Sequence, residues 1–139
     1  MNNTISVSKT ITKVILNENG DFIELNMDDQ TLPVKLADLA KVFEDATRDF
    51  EAKRAEFGDG TDGAIAAARL NLEMCENLQK EIDAVLGEGV CSKVFGPITP
   101  GISAYVEFFS QLQDIMDAAG EGRRKRIEKY TAKYAKYRK

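Results

Sequence analysis

The residues best suited to chemistry in this chain are its clustered positive charges. Arg123-Arg124-Lys125-Arg126 is followed by Lys129, Lys133, Lys136, Arg138 and Lys139, with Tyr130, Tyr134 and Tyr137 set among them. Lysine and arginine neutralise phosphates and tyrosine rings stack on bases, so one chemistry open to this segment is nucleic-acid binding. Two observations count against it. Residues 1–120 hold 10 Lys/Arg and 21 Asp/Glu, a balance of −11, whereas residues 121–139 hold 9 and 2, a balance of +7. A body of that sign repels a polyanion. The three tyrosines also recur at the spacing of one helix face. A helical arm that docks on an acidic or helical protein partner, or on its own body, therefore ranks above nucleic acid.

Covalent and metal chemistry find fewer candidates. Histidine, the commonest general base and metal ligand, does not occur in the 139 residues. No GxSxG, phosphate-loop or cysteine-rich metal pattern is present. Gly58-Asp59-Gly60 and Gly87-Glu88-Gly89 carry an acid where a phosphate would be repelled, and neither follows a strand. They read as linkers. Asp59-Gly60-Thr61-Asp62-Gly63 lacks the alternation of acids that a calcium loop needs. Cys75 falls on the apolar face of an expected helix and reads as a small core residue. Cys91 has Lys93 nearby, which would lower its pKa slightly. The expectation is a protein that binds, with no cofactor and no metal; an enzyme with a carboxylate-only site, for which paired acids such as Asp28-Asp29 are candidates, is the alternative left open.

The elements that position these residues follow from periodicity. Val14-Ile15-Leu16 and Phe22-Ile23-Glu24-Leu25 flank Asn19-Gly20, the pair favoured where a turn needs positive φ, so a hairpin is expected, its loop spanning Asn17 to Asp21 in the longer reading. Ile5 and Val7 offer a third strand, and an unpaired edge there offers a site of self-association. Leu36, Leu39, Phe43, Ala46, Phe50 and Phe57 recur as a heptad-like stripe, predicting a helix from Pro33 to Phe57, capped by Thr31 or Asp29. The linker Gly58–Gly63 precedes a second helix to Leu86, capped by Thr61. Its inward positions are Ile65, Ala68, Leu72, Cys75, Ile82 and Leu86, with Gln79 as the gap. So short a connection predicts an antiparallel helical hairpin. Val90 to Phe95 fits one helical turn. A third long helix is expected from Ile102 to Ala119, with Tyr105, Phe108, Phe109, Leu112, Ile115 and Met116 inward. Gly120 would stop it as a left-handed cap, and Arg123 onward would form a fourth.

No run approaches the roughly 18 apolar residues of a membrane span. MNNTISVSKT lacks a basic start followed by a long apolar region, which sets a cytoplasm, bacterial or otherwise, as the expected location. The expected fold is mainly α with a small N-terminal β-hairpin (α+β): a helical hairpin plus C-terminal helices. Residues 1–120 would form the core domain and residues 121–139 a basic helical tail.

One known group shows the same order of features. NENGDFIELNMDDQTLPVKL leads from a hairpin through an acidic turn into two amphipathic helices, VFG is followed by YVEFFSQLQDIM, and RRKRIEKYTAKY closes the series. In this the chain resembles the small tail assembly chaperones of long-tailed bacteriophages and prophages. The resemblance implies a non-catalytic helical protein of the host bacterial cytoplasm. It would bind the long tape measure protein, keep it soluble and recruit tail tube subunits around it, and such chaperones often self-assemble. Residues placed to contact a partner are then Phe108, Phe109, Leu112 and Met116 on the apolar segment, and Arg123, Arg124, Arg126, Tyr130 and Tyr134 on the tail. The alternative for the apolar set is that it is core.

Overall fold

The computed structural model describes residues 3–135, and side chains within them except those of Arg126 and residues 130–135. Two antiparallel strands, β1 (Ile11–Ile15) and β2 (Phe22–Asn26), are followed by α1 (Thr31–Arg54), α2 (Thr61–Leu86), the short α3 (Val90–Phe95) and α4 (Ile102–Ala135). The fold is mainly helical with one small hairpin, as periodicity predicts.

The strands pair Ile11 with Asn26 through Ile15 with Phe22, which puts Val14 and Leu25 on the buried face. The turn between them is the longer one. Leu16 N–H donates to the Asp21 carbonyl at 2.7 Å, and Gly20 takes φ +85°, a conformation cheap only for glycine. Asn17 fixes this turn to the rest of the molecule. Its Oδ1 accepts from the Asn19 and Asp21 N–H groups, while its Nδ2 donates to the Asp21 carboxylate at 2.8 Å and to the Lys93 carbonyl at 3.0 Å. The expected third strand does not form: residues 3–10 have no regular structure and Ile5 and Val7 are exposed, the alternation being too short to secure a partner.

Gln30, not Thr31 or Asp29, stands at the cap of α1; just before it the Asp29 carboxylate accepts from the Thr31 N–H at 2.9 Å and hydroxyl at 2.7 Å, and these bonds favour the ionised form and hold the carboxyl below its usual range. Gly60, not Thr61, stands at the cap of α2. The linker closes so tightly that a Cβ at Gly63 would lie 1.9 Å from the Gly58 carbonyl oxygen, so only glycine fits. α1 and α2 then run antiparallel, Arg54 sharing one cleft with Ala64 and Val42 another with Glu81.

The core lies where α2, α3 and α4 meet. Tyr105, Leu78, Ile82 and Cys75 are its most deeply buried members. All buried residues of α2 fall from Met74 onward. This corrects the inward set expected for that helix: Ile65 and Leu72 are each 48% exposed, and Ala68 is exposed, because the first half of α2 lies beside an open cleft shared with α1 and Ile102 and not in the core.

Gly120 does not end the last helix. Its φ is not positive, and α4 continues through Gly120 and Gly122 to Ala135 as one helix of 34 residues. The stop expected at that glycine is overridden by contacts beyond it, described below. The boundary drawn at residue 120 therefore falls inside an unbroken helix.

Helix-interior glycine costs about 0.5–1 kcal/mol relative to alanine. Among the described residues, and apart from the helix's own backbone and the adjoining residues, nothing lies within 4 Å of a Cβ built at Gly120 or Gly122. Gly120→Ala and Gly122→Ala should each stabilise the protein by up to about 1 kcal/mol, read from urea unfolding midpoints. Gly63→Ala in the same assay should destabilise it.

A candidate binding surface along the last helix

The last helix is fixed at its start by Tyr105. The ring is fully buried, edge-on to Phe95 at 5.2 Å. Its hydroxyl donates to the Cys75 carbonyl at 3.4 Å and accepts from Gln79 Nε2 at 3.1 Å, and Gln79 Nε2 also reaches the Ile98 carbonyl at 3.4 Å. Gln79, the gap in the apolar stripe of α2, is thus the polar link between α2, the crossing loop and α4. Burial pushes the Tyr105 phenol up to about 12, with Gln79 pulling slightly the other way.

The cysteines belong to the same region. Cys75 and Cys91 are both buried and free. The lowered pKa expected for Cys91 from Lys93 is not what its surroundings produce: burial, reinforced by the Asp83 carboxylate, pushes the thiol up to about 12. Asp83 also accepts from the Cys91 N–H at 2.9 Å. Cys75 is raised by burial alone. A thiol so held keeps its proton and is a poor nucleophile.

From Tyr105 the helix runs back along α1. Phe109 meets Phe43 edge-on at 5.1 Å, and seen from the other end Arg123 Nε donates to Asp28 Oδ1 at 3.0 Å. The pairs 43–109 and 28–123 make the two helices antiparallel. Asp28 is itself anchored, its second oxygen accepting from the Thr10 N–H at 2.8 Å. One carboxylate therefore joins the strand entry, the start of α1 and the C-terminal half of α4.

Between these two fastenings the helices stay apart. The gap is an open cleft of about 490 Å³ lined by Pro33, Leu36, Ala40 and Phe43 on α1 and by Val106, Phe109 and Met116 on α4, with Leu39 and Leu112 at its buried floor. A second cleft of about 270 Å³ lies on the other side of α4, where Phe108, Leu112 and Ile115 face Val14 and Leu16 of the hairpin and Phe95 of α3. The expected apolar set is thus both core and lining: Leu112 is buried, and Phe108, Phe109 and Met116 are half-buried at cleft walls. Such walls, apolar and partly solvated, suit the apolar face of a helix.

The sequence of this chain matches a known family model. The chain belongs to a family of unknown function, DUF6673, whose model matches residues 19–139. That match takes in β2, all four helices and the basic tail. No curated protein and no solved structure matches the chain.

The basic residues divide. Arg123 is tied to Asp28, and Arg124 forms ion pairs with Glu121 and Glu128 along its own helix. Lys125 and Lys129 are exposed. The side chains of Arg126, Tyr130 and Tyr134 lie outside the described residues. Among the described residues no group of three or more His, Cys, Asp or Glu is placed to hold a metal ion, and no helix is long and apolar enough to cross a membrane. The α1 wall of the larger cleft and Asp28 escaped the sequence reading. The Asp28-Asp29 pair was a signal, since two adjacent acids cannot both serve one helix cap.

Three measurements check the site. Tyr105→Phe should cost about 1 kcal/mol, since it removes the hydroxyl's bonds to the Cys75 carbonyl and to Gln79, which keeps only the longer bond to the Ile98 carbonyl. Tyr105 and Cys91 retain protons in the fold that the unfolded chain releases, so their stabilisation is intact below the ordinary thiol value of 9.0 and is lost as pH rises toward about 12. Unfolding free energy should fall across that window and change little from these groups below it. In a double-mutant cycle, Arg123→Ala and Asp28→Ala should show a coupling of about 0.5–1 kcal/mol that shrinks with salt, as for a partly exposed pair.

Proposed function

We propose that this protein is a non-catalytic tail assembly chaperone of a long-tailed phage or prophage, acting in the host bacterial cytoplasm. It binds the tape measure protein, keeps it soluble and recruits tail tube subunits to it. The observation that carries this reading is the open apolar cleft between α1 and α4, bounded by the Phe43–Phe109 contact and the Arg123–Asp28 ion pair. A long, largely helical client needs a groove of this kind, in which successive apolar side chains replace water. The order of features that the chain shares with such chaperones supports the same assignment. Val106 stands at the cleft wall, 51% exposed, where it contributes more to a bound helix than to the core.

Co-expression with a phage tape measure protein should raise that protein's soluble yield and recover the two together. Val106→Glu places a charge on the cleft wall and should weaken the pair at least tenfold, while changing stability by less than about 0.5 kcal/mol, as exposed positions do. No gain in solubility and no co-purification with the unaltered chain would sink the reading.

Nucleic-acid binding through the tail is the second reading, favoured by the exposure of Lys125 and Lys129. It is weakened by the engagement of Arg123 and Arg124 with carboxylates of the same chain. Titration of DNA and RNA at low salt separates the two, because phosphate binding falls steeply as salt rises.

A further inference from the structure

The α1–α4 cleft is apolar inside and acidic at its rim. Pro33, Ala37 and Ala40 line the α1 wall at spacings of 4 and 3, and Glu44 follows 4 later, so its carboxylate ends the same row. On the α4 wall Val106 and Gln113 are followed on one face by Asp117, whose carboxylate accepts from Gln113 Nε2 at 2.7 Å. Glu44 and Asp117 are both exposed. Phe43 meets Phe109 and Arg123 meets Asp28, so Glu44 stands at one end of the cleft and Asp117 toward the other, on opposite walls. Asp117 follows Phe109 by eight residues, which sets the two acids about 12 Å apart along the groove.

The bases around this cleft are already engaged within the chain. Asp45 pairs with both Lys41 and Arg48, Lys35 stands within electrostatic reach of Asp29, and Arg123 is tied to Asp28. Among the described residues no base pairs with Glu44 or Asp117. Residues 94–119 hold three acids, Glu107, Asp114 and Asp117, and no Lys or Arg, and all three acids are exposed. The open side of the cleft therefore lies in a negative field.

We propose that the occupant of the cleft is a basic amphipathic helix of the client, its apolar stripe in the groove and a Lys or Arg on each flank, about two turns apart, against Glu44 and Asp117. This adds a charge requirement to the reading of the cleft as a client groove, and it stands only if that reading stands. A neutral helix meets the same apolar walls without the two pairs, and an acidic one meets like charge at both ends. Exposed pairs contribute modestly each, so they act here by selecting the helix and fixing its register, while the apolar stripe supplies the adhesion.

The test is calorimetric titration of the full chain with three synthetic helices that share one Leu stripe and carry Lys, Gln or Glu on both flanks. At about 50 mM salt the Lys helix should bind about tenfold tighter than the Gln helix and the Glu helix weaker still, and the gaps should close at about 500 mM. Glu44→Gln with Asp117→Asn should bring the Lys helix down to the affinity of the Gln helix and leave the Gln helix unchanged. Asp59→Asn with Asp62→Asn removes the same charge from exposed positions at the α1–α2 linker and should change no affinity by more than about twofold. Unchanged circular dichroism and melting check that each variant folds. Val106→Asn, which brings no charge, should weaken the Lys and Gln helices alike. Equal affinity for the three helices, a Lys preference that survives loss of Glu44 and Asp117, or one lost equally with Asp59 and Asp62, overturns the charge requirement and leaves the groove standing so long as Val106→Asn weakens binding. Binding of none of the helices, or binding indifferent to Val106→Asn, removes the groove and the charge requirement together.

Discussion

A single buried hydroxyl holds the architecture together. Tyr105 is too large to leave in solvent and too polar to bury unsatisfied, so its ring fixes the start of α4 in the core while its oxygen must find partners there. It finds them in the Cys75 carbonyl and the Gln79 amide, which binds α4 to α2 with defined rotation and height. Gln79 extends the link to the Ile98 carbonyl in the crossing loop. The aromatic contacts from Phe95 through Phe108 to Phe109 and Phe43 then follow in line. Without that anchor α4 has no reason to lie where it does, because its later turns are fastened by side chains at a distance and not by close backbone packing.

The clefts on both sides of α4 are a consequence of the same arrangement. A helix tethered by aromatic rings at one point and an ion pair at another is held at a larger spacing than small residues would permit, and the space between is apolar and open. Half-burial of Phe108, Phe109 and Met116 is thus one property with two effects: each contributes to the fold and each leaves apolar surface open at a cleft wall.

Local features were legible in the sequence and distant ones were not. Asn19-Gly20, the glycine linker from Gly58 and the single turn at Val90–Phe95 carry their geometry in adjacent residues, and all three occur as expected. The apolar face of α4 was also legible, because 3.6-residue periodicity survives whatever packs on it. Gly120 misled because a glycine near the end of an apolar run is a stop only if the following residues have nothing to hold them helical, and Arg123 is held by an acid 95 residues away. Ile65 and Leu72 misled for the converse reason: periodicity marks a face that can be buried, but not whether the fold supplies anything to bury it. Asn17 and Gln79 show the remaining limit, since a polar residue's role in joining elements depends on partners that no local pattern names.

The glycines of α4 give the helix an uneven mechanical character. Gly120 and Gly122 sit two residues apart, each weakening the helical hydrogen-bond ladder, and the Asp28–Arg123 tether follows at once. Loss of the Asp28–Arg123 ion pair therefore leaves the turns at Gly120 and Gly122 the easiest part of the described helix to open. Local opening at these turns costs less than opening around the buried Tyr105, although both lie in one continuous helix.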